Sequence, residues 1–203
     1  MFLLLIVTLS LLASDYPTFS NYELQKIAQS NKIAKNRILH YQKTIKATKY
    51  LPKKKQLQKI NFYVNGFLPQ YDVVLSQKEN YWFTPKEFLK IGYGDCEDYV
   101  IMKYYTLIKL GFDEKSLYLT IVKENFHNSY HMVLSYFPKN KKDPLILDNL
   151  SFKIMKLSER NDLKPIFFIN STGVYKLQNK QLKKVAKKYK DFEILKTKVA
   201  HNL

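Results

Sequence analysis

The sequence predicts an α+β domain whose first half supplies helices and whose second half supplies the antiparallel sheet they pack on. Two observations carry this. Apolar residues recur at helical spacing as far as about Leu110, and beyond it the period falls toward two. A third bounds it: 203 residues, 46% hydrophobic and 15% aromatic, suit one domain with a sizeable core and exclude a mostly disordered chain. The expected organisation is a signal peptide over 1–14 and a single domain over 15–203.

Phe2 to Ala13 is an apolar run with no charge. It is shorter than the roughly 20 residues a membrane-spanning helix needs. With small residues Ala13 and Ser14 at its end it fits the h-region of a secretory signal, although no basic residue precedes it. An uncleaved anchor is the alternative.

Ser20-Asn-Tyr-Glu23 reads as a capping box, and Leu24, Ile27, Ala34, Ile38, Tyr41 and Ile45 follow on one helical stripe. One long helix to about Ala47 is expected, ending before Pro52. A second runs from about Lys53 to Asn65, with Gly66 as its cap. Thr84-Pro-Lys-Glu87 is another capping box, opening a short helix to about Ile91. Gly92 and Gly94 then break the chain before a helix from about Asp95 to Leu110, closed by Gly111. Leu117, Leu119 and Ile121, then Tyr130 to Phe137, Pro144 to Leu147 and Lys164 to Ile169 read as short strands. A lysine-rich helix from about Gln178 to Lys190 is expected at the C-terminus.

The net charge of +17 invites a nucleic-acid reading. Yet all but two of the 34 basic residues are lysine; only Arg37 and Arg160 offer the planar fork suited to phosphate and guanine. Charge also sits away from the glycine-flanked segment: Tyr81 to Asp113 is slightly acidic, while Glu23 to Asn61 is strongly basic. No nucleic-acid partner is therefore expected, although a basic module for nucleic acid or anionic lipid remains the alternative from outside enzymology.

The single cysteine excludes disulfides and multi-cysteine metal sites. Cys96 stands in the first turn of an expected helix, where unpaired N–H groups and the dipole favour a thiolate and offer an oxyanion donor. A buried, inert thiol is the bland alternative. His131 opens one strand and Asp148 closes the next, with a polar loop between them. If the hairpin centres between Lys139 and Asn140, the two oppose each other on one face. Asp148 would then orient the imidazole as the third member of a Cys–His–Asp triad. A zinc site of Cys96, His127 and His131 is conceivable but lacks further ligands. Asp95, Glu97 and Asp98 flank the cysteine, and their charge would oppose ionisation of the thiol. A hard cation removes that conflict, so a Ca²⁺ site at these three residues is expected.

The segments Trp82-Phe-Thr-Pro-Lys-Glu-Phe-Leu89, Gly94-Asp-Cys-Glu-Asp-Tyr99, His131-Met-Val-Leu134 and Leu147-Asp-Asn-Leu150 resemble the bacterial transglutaminase-like cysteine proteinases, to which the LapG-type periplasmic proteases belong. The resemblance covers about Ile60 to Leu150. It implies a papain/transglutaminase-like fold, with Cys96 as nucleophile, His131 as general base, Asp148 as its orienter, and calcium at Asp95, Glu97 and Asp98. It also implies a periplasmic endopeptidase that cuts a large surface adhesin near its N-terminal retention module, at a paired-alanine site. The implied restraint is an inner-membrane receptor responsive to cyclic di-GMP. Acyl transfer to an amine, the transglutaminase outcome, is the alternative on the same triad.

Overall fold

The computed structural model describes residues 15–70, 81–126, 129–139 and 141–202. The expected signal segment and His127 lie outside them. The order of elements is helices α1 (Asn21–Ser30), α2 (Lys32–Thr48) and α3 (Lys53–Val64), strand β1 (Leu68–Pro69), α4 (Pro85–Ile91), β2 (Tyr93–Gly94) and α5 (Cys96–Lys109). Strands β3 (Leu117–Glu124), β4 (Tyr130–Tyr136), β5 (Leu145–Asp148), β6 (Ser151–Lys156), β7 (Leu163–Asn170), β8 (Gly173–Gln178) and β9 (Gln181–Ala186) follow, then α6 (Lys190–Ala200). The seven later strands form one antiparallel sheet in the order β6-β5-β4-β3-β7-β8-β9, and β1 and β2 make a short parallel pair. The α+β reading is met. Among the described residues no helix is long and apolar enough to cross a membrane.

Helix α5 is the centre of the molecule. Every residue from Glu97 to Leu107 is buried, so this helix has no solvated face. It packs on β3 and β4 on one side and is enclosed by α3 and α4 on others. Phe192 of α6 meets Tyr104 of α5 edge-to-face, with centroids 5.8 Å apart. Ile38 and Tyr41 of α2, Leu57 and Ile60 of α3, and Phe88 and Leu89 of α4 belong to the same apolar core.

Three sequence expectations are corrected. The long first helix is two, because Asn31 takes an extended conformation and its side chain accepts from the Ala34 N–H as cap of α2. Helix α3 ends at Val64 with Asn65 as cap in the right-handed region, so Gly66 is not its cap. The helix expected over 178–190 is largely strand. Asn179 and Lys180 both adopt positive φ, 50° and 59°, closing a two-residue hairpin between β8 and β9. The helix proper begins only at Lys190. Lysines dense enough to mask the alternation of an edge strand account for the misreading.

Candidate active site

Local sequence sets the entry to α5. Thr84 accepts from the Glu87 N–H while Glu87 returns to the Thr84 N–H, and Gly92 ends α4 in the left-handed region at φ 90°. Arg37 Nη1 donates to the carbonyls of Leu89 and Lys90, both at 2.9 Å, so the last turn of α4 is held from α2. Gly94 is glycine for space. A Cβ there would lie 2.8 Å from Asp98 Cβ and closer still to Oδ2.

That proximity shows what Asp98 does. Its Oδ1 accepts from the Phe83 N–H at 2.9 Å and its Oδ2 from the Asp95 N–H at 3.2 Å, so it ties the 81–84 segment to the start of α5. Asp98, expected as a calcium ligand, thus also serves in the reciprocal capping box of α5, with the Asp95 side chain accepting from the Asp98 N–H. Among the described residues no group of three or more His, Cys, Asp or Glu side chains is placed to hold a metal. The trio Asp95, Glu97 and Asp98 is thus not assembled as one ligand cluster.

Cys96 is the first residue of α5 and is part-buried; its Sγ donates to Glu97 Oε2 at 3.1 Å. Burial pushes the thiol far above its ordinary value. The charge and hydrogen bond of Glu97 and the charge of Asp95 push the same way, while a hydrogen bond from the Met132 backbone opposes them. Met132 is the residue after His131 on β4, so the sulfur lies against the strand that carries the imidazole.

His131 Nε2 and Asp148 Oδ1 are 2.9 Å apart, and both side chains are buried. The pairing is not the direct opposition expected. Leu134 pairs with Leu147, a register whose extension sets Val133 opposite Asp148. His131 is two residues further along. An even offset keeps it on the same face, and the imidazole reaches the carboxylate diagonally. Asp148 Oδ1 also accepts from the Leu150 N–H at 3.0 Å, and Oδ2 accepts from Arg160 Nη2 at 2.8 Å. Burial works to raise this carboxyl, but His131, the Leu150 N–H and Arg160 outweigh it and hold it well below the usual carboxylate range. An ionised Asp148 accepts a hydrogen bond from Nε2–H, which leaves Nδ1 as the basic nitrogen.

Helix α3 fastens the turn beyond Asp148. Asn65 Nδ2 donates to the carbonyls of Asp148, at 2.7 Å, and Ser151, at 3.0 Å. Beside the pair lies a cavity of about 360 Å³, with Glu124, Leu150 and Asp162 among its lining residues. His40 and His201 are elsewhere: His40 lies on α2 against the Tyr63 ring, and His201 Nδ1 meets the Thr197 carbonyl.

Sequence reasoning missed Asn65, Lys103 and Arg160. Lys103 lies seven residues after Cys96, two turns along the same stripe of α5, a spacing that could have marked it. It is fully buried and its ammonium has no hydrogen-bond partner among the described residues. Burial lowers its pKa to about 7, with Asp148 pulling the other way. An unfolded lysine titrates near ~10.4, so the unfolded chain binds more protons between these values and stability rises with pH across that window. Lys103→Met is therefore expected to raise the melting temperature more at pH 6, where the charge is carried in full, than at pH 9. Calorimetry at the two pH values checks this; an equal change at both would refute it.

A family model described as bacterial transglutaminase-like cysteine proteinase matches residues 27–162. Solved structures of Legionella pneumophila LapG match at 35% identity. The calcium-bound form covers 89% of this chain and 99% of its own at a TM-score of 0.76. The EGTA-treated form covers 90% and 99% at a TM-score of 0.77. No curated protein matches.

Proposed function

The chain belongs to the bacterial transglutaminase-like cysteine proteinase family, and from that premise we propose that it is an exported, calcium-dependent endopeptidase acting on the N-terminal region of a large surface adhesin. Cysteine protease chemistry and the transglutaminase-like α+β fold come with the family. The finer reading assigns Cys96 as nucleophile, His131 as base and Asp148 as orienter. The observation that carries it is the 2.9 Å His131–Asp148 contact on the strand whose next residue, Met132, hydrogen-bonds the Cys96 sulfur.

In this reading His131 Nδ1 takes the thiol proton and the Cys96 sulfur attacks the peptide carbonyl carbon. The Cys96 N–H, at the positive end of α5, steadies the oxyanion. His131 returns the proton to the leaving amine, and water then hydrolyses the thioester with His131 again as base. Asp148 keeps the imidazole in one tautomer throughout.

The carboxylates that would hold calcium are Asp98, which caps α5, and the pair Asp95 and Glu97. Both act on the thiol, and two hard oxygen donors beside a group that must become anionic fit a hard cation. When bound, the ion neutralises the charge that opposes ionisation of Cys96. The calcium-bound form of LapG supports the reading. Export is supported by the apolar run Phe2 to Ala13, and the periplasm is the compartment proposed. Release of the adhesin would regulate biofilm attachment, with a cyclic-di-GMP-responsive inner-membrane receptor as the proposed restraint.

The test is incubation with candidate adhesin N-termini in calcium or EGTA, with mass spectrometry of the products. Cleavage in calcium is expected to fall at least about tenfold in EGTA, the effect of about one pKa unit or more on the nucleophile. Because Cys96 is the only cysteine, alkylation by iodoacetamide reports on it alone and should slow in parallel. Equal cleavage and alkylation in both buffers would sink the calcium assignment; an isopeptide product would establish acyl transfer instead of hydrolysis.

A further inference from the structure

We propose that Arg160 is a positioning residue for the reaction: clamped by Asp162, it holds the Asp148 carboxylate at the angle that presents Oδ1 to His131. The inference rests on the reading of Cys96, His131 and Asp148 as the catalytic group.

Asp148 needs such a hold. It is the last residue of β5, beyond the final paired row Leu134–Leu147, and the register against β6 shifts between Ile146 and Asp148. The β4 ladder therefore stops short of it, and on the other side it pairs only with Ser151, beyond the register shift. Its side chain reaches diagonally to His131, and a carboxylate free to turn about its terminal bond would carry Oδ1 away from both the imidazole and the Leu150 N–H. Arg160 removes that freedom by engaging the other oxygen, Oδ2, at 2.8 Å.

Arg160 is itself fixed. Its Nε lies 2.8 Å from Asp162 Oδ1 and its Nη2 2.6 Å from Asp162 Oδ2, a two-pronged pair that sets the plane of the guanidinium. The side chain is only 10% exposed. Arg160 caps the short 3₁₀ turn Leu157–Glu159 and meets Oδ2, the oxygen that His131 does not use.

The choice of residue points the same way. In a chain with 32 lysines, an arginine stands where one planar group must hold one carboxylate by two nitrogens and reach a second. Arg160 holds Asp162 through Nε and Nη2 while Nη2 also reaches Asp148. The ammonium of a lysine has no such fork and cannot keep the Asp162 pair while reaching Asp148.

The charged groups around the pair are Lys103 from α5, Glu124 from β3, and Arg160 and Asp162 from the segment before β7. Loss of the Arg160 cation, the nearest to Asp148 of these, makes protonation of the pair easier and moves the His131 titration to higher pH.

Arg160→Lys, Arg160→Met and Asp162→Asn are compared with the full chain in calcium. The expected result for both Arg160 variants is a fall in kcat of about 10–100-fold with KM little changed, since misplacement by about 1 Å costs this much. Lys is not expected to rescue. Asp162→Asn, which frees the fork but leaves Arg160, should lose less. The second readout needs no proteolysis: in a Cys96→Ala background, the His131 imidazole resonance should titrate at higher pH in Arg160→Met. Wild-type kcat in Arg160→Lys, or an unshifted titration in Arg160→Met, would overturn the proposal. A wild-type chain that cuts nothing would count against the protease reading, while the imidazole titration would still decide the role of Arg160.

Discussion

Replacing Cys96 by Ala is expected to reduce peptide-bond cleavage by at least about 10⁴-fold, to the level of any contaminating protease. The size follows from the chemistry. No other thiol exists in the chain, and neither His131 nor Asp148 can form the acyl intermediate in its place. The fold should survive. Cys96 is part-buried at the first helical position, and its sulfur makes one side-chain hydrogen bond, to Glu97, which the cap of α5 does not use. A loss of about 1 kcal/mol, or about 2–4 °C in melting temperature, is the expected cost for a chain of this size. Measured cleavage of an adhesin N-terminus by the purified variant decides the matter. Retained cleavage with an intact melting transition would remove Cys96 from the mechanism.

Asp148→Asn should lower kcat by about 10²–10⁴-fold while preserving the shape of the site. An amide offers one oxygen where the carboxylate uses both: Oδ1 for His131 and the Leu150 N–H, Oδ2 for Arg160. If the oxygen faces Arg160, the amide N–H meets Nε2 and drives the imidazole into the wrong tautomer. If it faces His131, the amide N–H is set against a buried guanidinium. Stability should change with pH as well. The folded carboxyl titrates well below its unfolded value near ~3.9, so the unfolded chain binds the extra proton first. Asp148 thus contributes stability that is complete at pH 7 and lost as pH falls from about 4 toward the folded value. The Asn variant lacks that group, so its denaturation midpoint should depend less steeply on pH between about 5 and 2 than that of the wild-type chain. Parallel curves would show that Asp148 is not held ionised by its partners.

Much of the site was legible because it is built from contacts within one helical turn. The Thr84–Glu87 box, the left-handed Gly92 and the placement of Cys96 in the first turn of a helix depend on neighbours, and the residues alone imply them. The break at Asn31 is equally local but was hidden, because the apolar stripe runs through it and only the side-chain cap on Ala34 reveals the interruption. The hairpin at Asn179–Lys180 was hidden for another reason. Lysines cover both faces of this exposed edge strand, and its apolar residues Leu182, Val185 and Ala186 do not alternate, so no period of two can be read.

His131 and Asp148 mark the boundary between the two kinds of information. Alternation determined that they share a face, since any even offset preserves it. Only the sheet decided that the offset is two and the contact diagonal. The sequence by itself determined the α+β order, the isolation of one thiol at a helix start, and the acids around it. Tertiary structure decided how those groups are used: that Asp98 caps the helix, that Asn65 reaches 83 residues along the chain to hold the turn at Asp148, and that Arg160 takes its second oxygen. The physical reason is directional. A hydrogen bond between distant residues exists only when register and helix rotation aim donor and acceptor at each other. Those angles are set by packing the whole core, and no short stretch of sequence contains them.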